Sequence, residues 1–175
     1  FRSSRNAAAP EIMLHELGHS FGYLADEYTD FSAAPGIEQA NVTRETRPEF
    51  IKWKAWIPDG VPLPTPVTPD YADVIGLFEG ANMRPRGWYR PKADCKMRTL
   101  DRPFCEVCRQ ELVRAIYRVL RPIESSTPAV ADWTIGPDEV VELDVQPLAP
   151  VGHSLVVQWF IDGAPAPGGT NAGFN

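Results

Sequence analysis

The sequence predicts an α+β chain: a loop-rich first part built around two helices, then a shorter part with strand periodicity. Three observations carry that expectation. Residues 10–21 read PEIMLHELGHSF, a run of helix-compatible residues opened by Pro10. Between Phe104 and Leu120, Cys105, Cys108, Leu112, Ala115, Ile116 and Val119 recur three and four apart, which makes one apolar stripe on a helix. After Ala131 the period drops to two, with Val141, Leu143 and Val145 alternating with Glu142 and Asp144.

At 175 residues the chain is one domain, or one domain and a piece of another. A hydrophobic share of 43% and a charged share of 23% are globular values, while 18 prolines point to long ordered loops. The net charge of −6 argues against nucleic acid as the main partner. No apolar run is long enough for a membrane span, and no signal peptide is visible in a chain that starts at Phe1. Residues 84–121 hold 11 of the 17 basic and 4 of the 23 acidic residues, which is expected of a solvated helix with Arg118 and Arg121 near its negative end.

In chain order, residues 1–9 read as a lead-in with solvated Arg2 and Arg5. Pro10 suits a first helical turn, where its missing N–H is no loss. The helix is expected to reach Phe21, to turn Ile12, Met13, Leu14 and Leu17 to the core, and to close at a left-handed Gly22. Residues 29–48 read as loop, with Ala-Pro-Gly at 34–36 and a formal glycosylation sequon at Asn41-Val-Thr43. Residues 49–57 suggest a short strand or helix with packing roles for Trp53 and Trp56. The five prolines of residues 58–69 make an extended segment, and residues 71–78 another short element. Pro103 and Pro122 bracket the second helix. Residues 122–131 read as a linker, Leu155–Ile161 as a strand, and Asp162-Gly163 as a turn. This last part resembles the opening strands of an immunoglobulin-like sandwich, which needs about 100 residues. Only 44 follow Ala131, so a partial sandwich is expected. The boundaries read 1–124 for the first domain, 125–131 for the linker and 132–175 for the partial sandwich.

The chemistry lies in the first helix. His15, Glu16 and His19 form His-Glu-x-x-His. Residues four apart share a helix face, so two imidazoles can point at one metal ion, with Glu16 placed to take a proton from a water there. The chain has 3 histidines, and two are in this motif. Asp26 and Glu27 follow the helix, and a carboxylate suits a third zinc ligand.

HELGHSFGYLADEY, at 15–28, resembles the signature of the igalysins, the bacterial IgA-peptidase-like metallopeptidases of the metzincin-type zincins. The resemblance continues in ANVT (40–43), IKWKAW (51–56), GLFEGA (76–81), WYRP (88–91), CKMR (95–98) and FCEVC (104–108), covering residues 10–121. It implies the lower half of a zincin domain, with an active-site helix and a C-terminal helix. It also implies a zinc-dependent endopeptidase acting on protein or peptide substrates, secreted or at a cell surface. Metzincins take the third ligand six residues after the second histidine; Ala25 stands there and cannot ligate, so Asp26, one residue on, is favoured over Glu27. The resemblance further implies that Met97, rather than Met83, lies in a turn beneath the metal, and that Tyr89 is a candidate to hydrogen-bond the oxyanion. Two other classes stay open: a surface binding protein with a degenerate zincin domain, and a zinc hydrolase of a non-peptide bond.

The three cysteines are Cys95, Cys105 and Cys108. A structural zinc needs four ligands, and the only unused histidine, His153, falls in the later part, so that reading is disfavoured. A disulfide from Cys95 to one of the other two, or three buried thiols, both remain open.

Overall fold

The computed structural model describes residues 7–30, 36–130, 132, 134–152 and 154–174, with the Phe174 side chain excepted. Arg2, Arg5, His153 and the Ala34-Pro35 pair lie outside the described residues. The architecture is α+β, with two helices and small antiparallel sheets, and the chain divides into the compact units Phe1–Ile116 and Tyr117–Asn175. Among the described residues no helix is long and apolar enough to cross a membrane.

In the first unit, helix α1 spans Ala9–Ser20 with Pro10 in its first turn. Short 3-10 turns at Pro48–Phe50, Lys54–Trp56 and Pro69–Tyr71 punctuate the proline-rich stretch. Strands β1 (Phe78–Ala81) and β2 (Arg84–Arg90) form an antiparallel hairpin. Its turn residues Asn82 and Met83 both have positive φ, 53° and 59°, which matches the right-handed twist of the two strands. Helix α2 spans Glu106–Val119. A core of Leu24, Ile51, Trp53, Ile75, Leu77 and Met97, with the three cysteines, packs between the loops and the start of α2.

The second unit carries strands β3 (Ile123–Thr127), β4 (Leu143–Pro147) and β7 (Gly173–Phe174) in one sheet, ordered β3-β4-β7. Strands β5 (Phe160–Ile161) and β6 (Ala164–Pro165) form a separate ladder. The two-residue loop between them is Asp162-Gly163, both at positive φ.

Several local expectations change. Met13, Leu14 and Leu17 are exposed, and α1 buries His15 and Gly18 instead. At about 100° per residue, Met13 and Leu17 point nearly opposite to His15, so a helix that turns its histidines inward turns these two outward. Gly22 lacks a positive φ; the left-handed residue is Tyr23, at 52°. Gly22 is glycine for closeness: a Cβ there would lie 2.9 Å from the Gly18 carbonyl oxygen and 3.0 Å from Leu112 Cδ2. On α2, Ile116 and Val119 are exposed, and burial falls on Val107, Cys108 and Ala115. Trp53 is buried and donates Nε1–H to the Gly76 carbonyl at 2.8 Å, whereas Trp56 is largely exposed. Ile123–Thr127, read as linker, is a strand because its backbone pairs with β4; of Leu155–Ile161 only Phe160–Ile161 pairs as strand.

Candidate metal centre

Helical spacing brings two side chains together, and an irregular loop brings the third. His15 and His19, one turn apart on α1, place their Nε2 atoms 3.1 Å from each other. Asp26 Oδ1 lies 3.1 Å from His15 Nε2 and 3.0 Å from His19 Nε2. The other ring nitrogens are committed. His15 Nδ1 lies 3.0 Å from the Lys96 carbonyl oxygen, and His19 Nδ1 lies 2.7 Å from that of Leu24. A carbonyl oxygen can only accept, so each Nδ1 must carry the proton and donate. In the neutral rings both Nε2 atoms are then bare lone pairs. Two bare nitrogens and a carboxylate oxygen facing one another at about 3 Å repel unless a cation lies between them.

A proton is one cation that can serve there. Hydrogen bonding to Asp26 raises the pKa of both histidines, in spite of their partial burial. Burial pushes Asp26 upward, but the hydrogen bonds from His15 and His19 outweigh it and hold its carboxyl well below the usual carboxylate range. Ligands on a tetrahedral zinc stand about 3.3 Å apart at Zn–N and Zn–O distances of about 2.0–2.1 Å, close to what the three atoms show. The His15 and Asp26 side chains are 11% and 12% exposed and that of His19 is 29% exposed, so the group is open on one side. Glu16 is half-buried beside it, close enough for its charge to act on His19 and Tyr28.

The loop that carries Asp26 is tied down residue by residue. The Leu24 amide donates to the Gly18 carbonyl at 3.0 Å. The Ala25 N–H and C=O are both satisfied by the Asn41 carboxamide, at 2.8 and 2.9 Å. The carbonyls of Asp26 and Tyr28 accept from the amides of Asn82 and Met83 in the β1–β2 turn, at 2.8 and 3.0 Å. The Glu27 amide donates to the Met97 carbonyl at 2.8 Å. Asn41 is fully buried in this role, so the sequon at 41–43 is a structural clamp in the folded chain. Asn41→Ala strands several buried polar groups at once. We expect it to cost about 2–3 kcal/mol, lowering Tm by about 5–10 °C in a calorimetric scan.

Met97 is fully buried beneath α1: a Cβ added at Gly18 would stand 2.5 Å from its Sδ. Glycine between the two histidines therefore lets the turn at 95–98 approach the helix, and Lys96 in that turn orients His15. Met83 sits in the β1–β2 turn. Tyr89 lies on β2, packed against the core, with Glu79 as its charged neighbour. This placement gives the oxyanion role expected of Tyr89 no support. The phenol at the site is Tyr28, which hydrogen-bonds the Asp26 carboxylate and has its own pKa raised to about 12, by burial and then by the Asp26 charge. Sequence reasoning passed over Tyr28; its signal was adjacency in the Asp26-Glu27-Tyr28 run. Such an outer partner orients a ligand, so Tyr28→Phe should weaken metal binding about 10-fold, read by competition with a chromogenic chelator. Glu27, between Asp26 and Tyr28 in the chain, turns its carboxyl the other way into the core, where it is fully buried.

Residues 3–73 and 67–116 match the family model described as IgA Peptidase M64. Among curated proteins none matches the chain.

Proposed function

The chain belongs to the IgA Peptidase M64 family, and from that premise we propose that it is a zinc-dependent endopeptidase with His15, His19 and Asp26 as zinc ligands and Glu16 as general base. The observation that carries this reading is the convergence of His15 Nε2, His19 Nε2 and Asp26 Oδ1, three lone-pair atoms within 3.1 Å of one another around a point that demands a cation. Two neutral imidazoles and a carboxylate with one open side are the donor set of catalytic rather than structural zinc. Zinc bound there supplies Lewis acidity, polarising the scissile carbonyl and acidifying water.

The chain's own residues divide the remaining work. Lys96 and Leu24, through their carbonyls, fix both imidazoles with Nε2 toward the site. Asn41, Asn82, Met83 and Met97 fix the loop that presents Asp26. The Glu16 carboxylate takes a proton from the attacking water and returns it to the leaving amine nitrogen as the C–N bond breaks. In fold terms the first domain, residues 1–124, is read as the lower half of a zincin domain. Residues 132–175 are read as part of an immunoglobulin-like sandwich, after a junction at 125–131. The substrates are protein chains. Immunoglobulin A, which the family description names, is one of those to test first, and the protein is read as secreted or at a cell surface.

The test is proteolysis by the purified protein of a panel of unfolded proteins and immunoglobulin A. New internal peptide ends are expected, abolished by a chelator and restored by added zinc. Cleavage that is indifferent to chelation would refute the zinc reading.

A further inference from the structure

We infer that the chain holds a second, structural zinc ion, bound by Glu27, Cys95, Cys105 and Cys108 in the core beneath the first site. Their ligand atoms lie within 4.8 Å of one another, and all four residues are buried, with exposures of 0%, 1%, 3% and 0%. The spacing has the right size. Around a tetrahedral zinc with Zn–S of about 2.3 Å and Zn–O of about 2.0–2.2 Å, two sulfurs stand about 3.8 Å apart and a sulfur and an oxygen about 3.5–3.6 Å. Cys95 Sγ to Cys108 Sγ is 3.8 Å, and Cys108 Sγ to Glu27 Oε1 is 3.5 Å.

The polar accounting points the same way. Glu27 Oε1 accepts from Asn41 Nδ2 at 2.9 Å, but Oε2 is buried with no hydrogen-bond partner. A buried carboxyl oxygen left so is costly, and a cation among three sulfurs removes the cost. The Met97 amide lies 3.4 Å from Cys95 Sγ, a backbone donor to one of those sulfurs. The cysteines are all thiols, so none of the group is used in a disulfide. Redox use of Cys105 and Cys108 would need an accessible attacking sulfur, and neither is accessible. Three thiolates and a carboxylate around Zn²⁺ leave net negative charge. It is offset by buried Arg90, whose charge acts on Glu27 and Cys95, and by Arg98, which donates to the Glu27 carbonyl at 3.0 Å. The four-ligand objection raised by the sequence is thus met by Glu27, the carboxylate that Asp26 leaves over.

Such an ion would pin three segments that local structure does not: the loop at 21–30, the turn at 95–98 and the start of α2. The first two adjoin the first site. Glu27 follows Asp26, and Cys95 precedes Lys96, whose carbonyl orients His15.

The experiment is zinc counting by elemental mass spectrometry together with zinc X-ray absorption, on the full chain purified under reducing conditions. About two zinc ions per chain are expected. The His15→Ala/His19→Ala double variant should keep about one, with sulfur neighbours at about 2.3 Å, and adding Cys105→Ser and Cys108→Ser should remove it. Should the double variant fail to fold, the wild type decides, since three sulfurs shared by two ions give about 1.5 sulfur neighbours per zinc. Absence of any sulfur neighbour, in either protein, would overturn the inference. Zinc with sulfur but without imidazole neighbours in the wild type would sink the catalytic reading and leave this one standing.

Discussion

Glu16→Gln should lower peptide cleavage by about 10²–10⁴-fold, equivalent to about 3–5 kcal/mol of transition-state stabilisation, while zinc content stays at the wild-type level. The two side chains have nearly the same size and differ in whether they can take a proton. Glu16 neighbours the first histidine in sequence but is not one of the three converging atoms, so its replacement leaves that group whole. Glu16 is half-buried, and its charge acts on His19. The loss should appear in kcat, with KM little changed, because proton transfer belongs to the transition state rather than to binding. The measurement is steady-state cleavage of a quenched peptide alongside zinc analysis of the same preparation. A variant that retains activity within a few-fold of wild type would assign the base elsewhere.

The second large effect is expected at Asp26. Asp26→Ala removes one of the three converging atoms, the proposed third zinc ligand, and also leaves the two Nε2 lone pairs facing each other without a carboxylate. If the roughly 10–16 kcal/mol of a four-ligand zinc site divides evenly, each ligand carries on the order of 3 kcal/mol, so zinc affinity should fall at least about 100-fold. Cleavage in buffer without added zinc should fall with it and recover in part when zinc is raised. That recovery separates a lost ligand from a lost fold, which added metal would not repair. Affinity unchanged in a competition assay would place the third ligand at another residue.

Expectations that rest on neighbours in sequence fared differently from those that rest on distant ones. The Asp162-Gly163 turn and α1 with its facing histidines were legible because backbone sterics and the 3.6-residue period are local. The side of α1 that is buried was misread. Met13, Leu14 and Leu17 are apolar, yet the helix is held on its other face by Met97 beneath Gly18 and by the Lys96 carbonyl on His15, 81 residues away in sequence. The same distance hid the pairing of Ile123–Thr127 with β4, since nothing within a serine-rich segment announces its partner strand.

By itself, then, the sequence determined an α+β chain with a two-histidine helix, two adjacent carboxylates after it and a family resemblance that the family match supports. The tertiary structure alone decided which carboxylate turns toward the histidines, that Tyr28 hydrogen-bonds it, and that Glu27 joins three cysteines 68 to 81 positions further along the chain. The physical reason lies in the loop at 21–30. It has no repeating pattern of its own, and its path is set by a left-handed Tyr23 and by hydrogen bonds to Asn41, Asn82, Met83 and Met97, all outside the loop. Asp26 and Glu27 are one position apart and chemically alike, so only that path could send one to the helix and the other to the core.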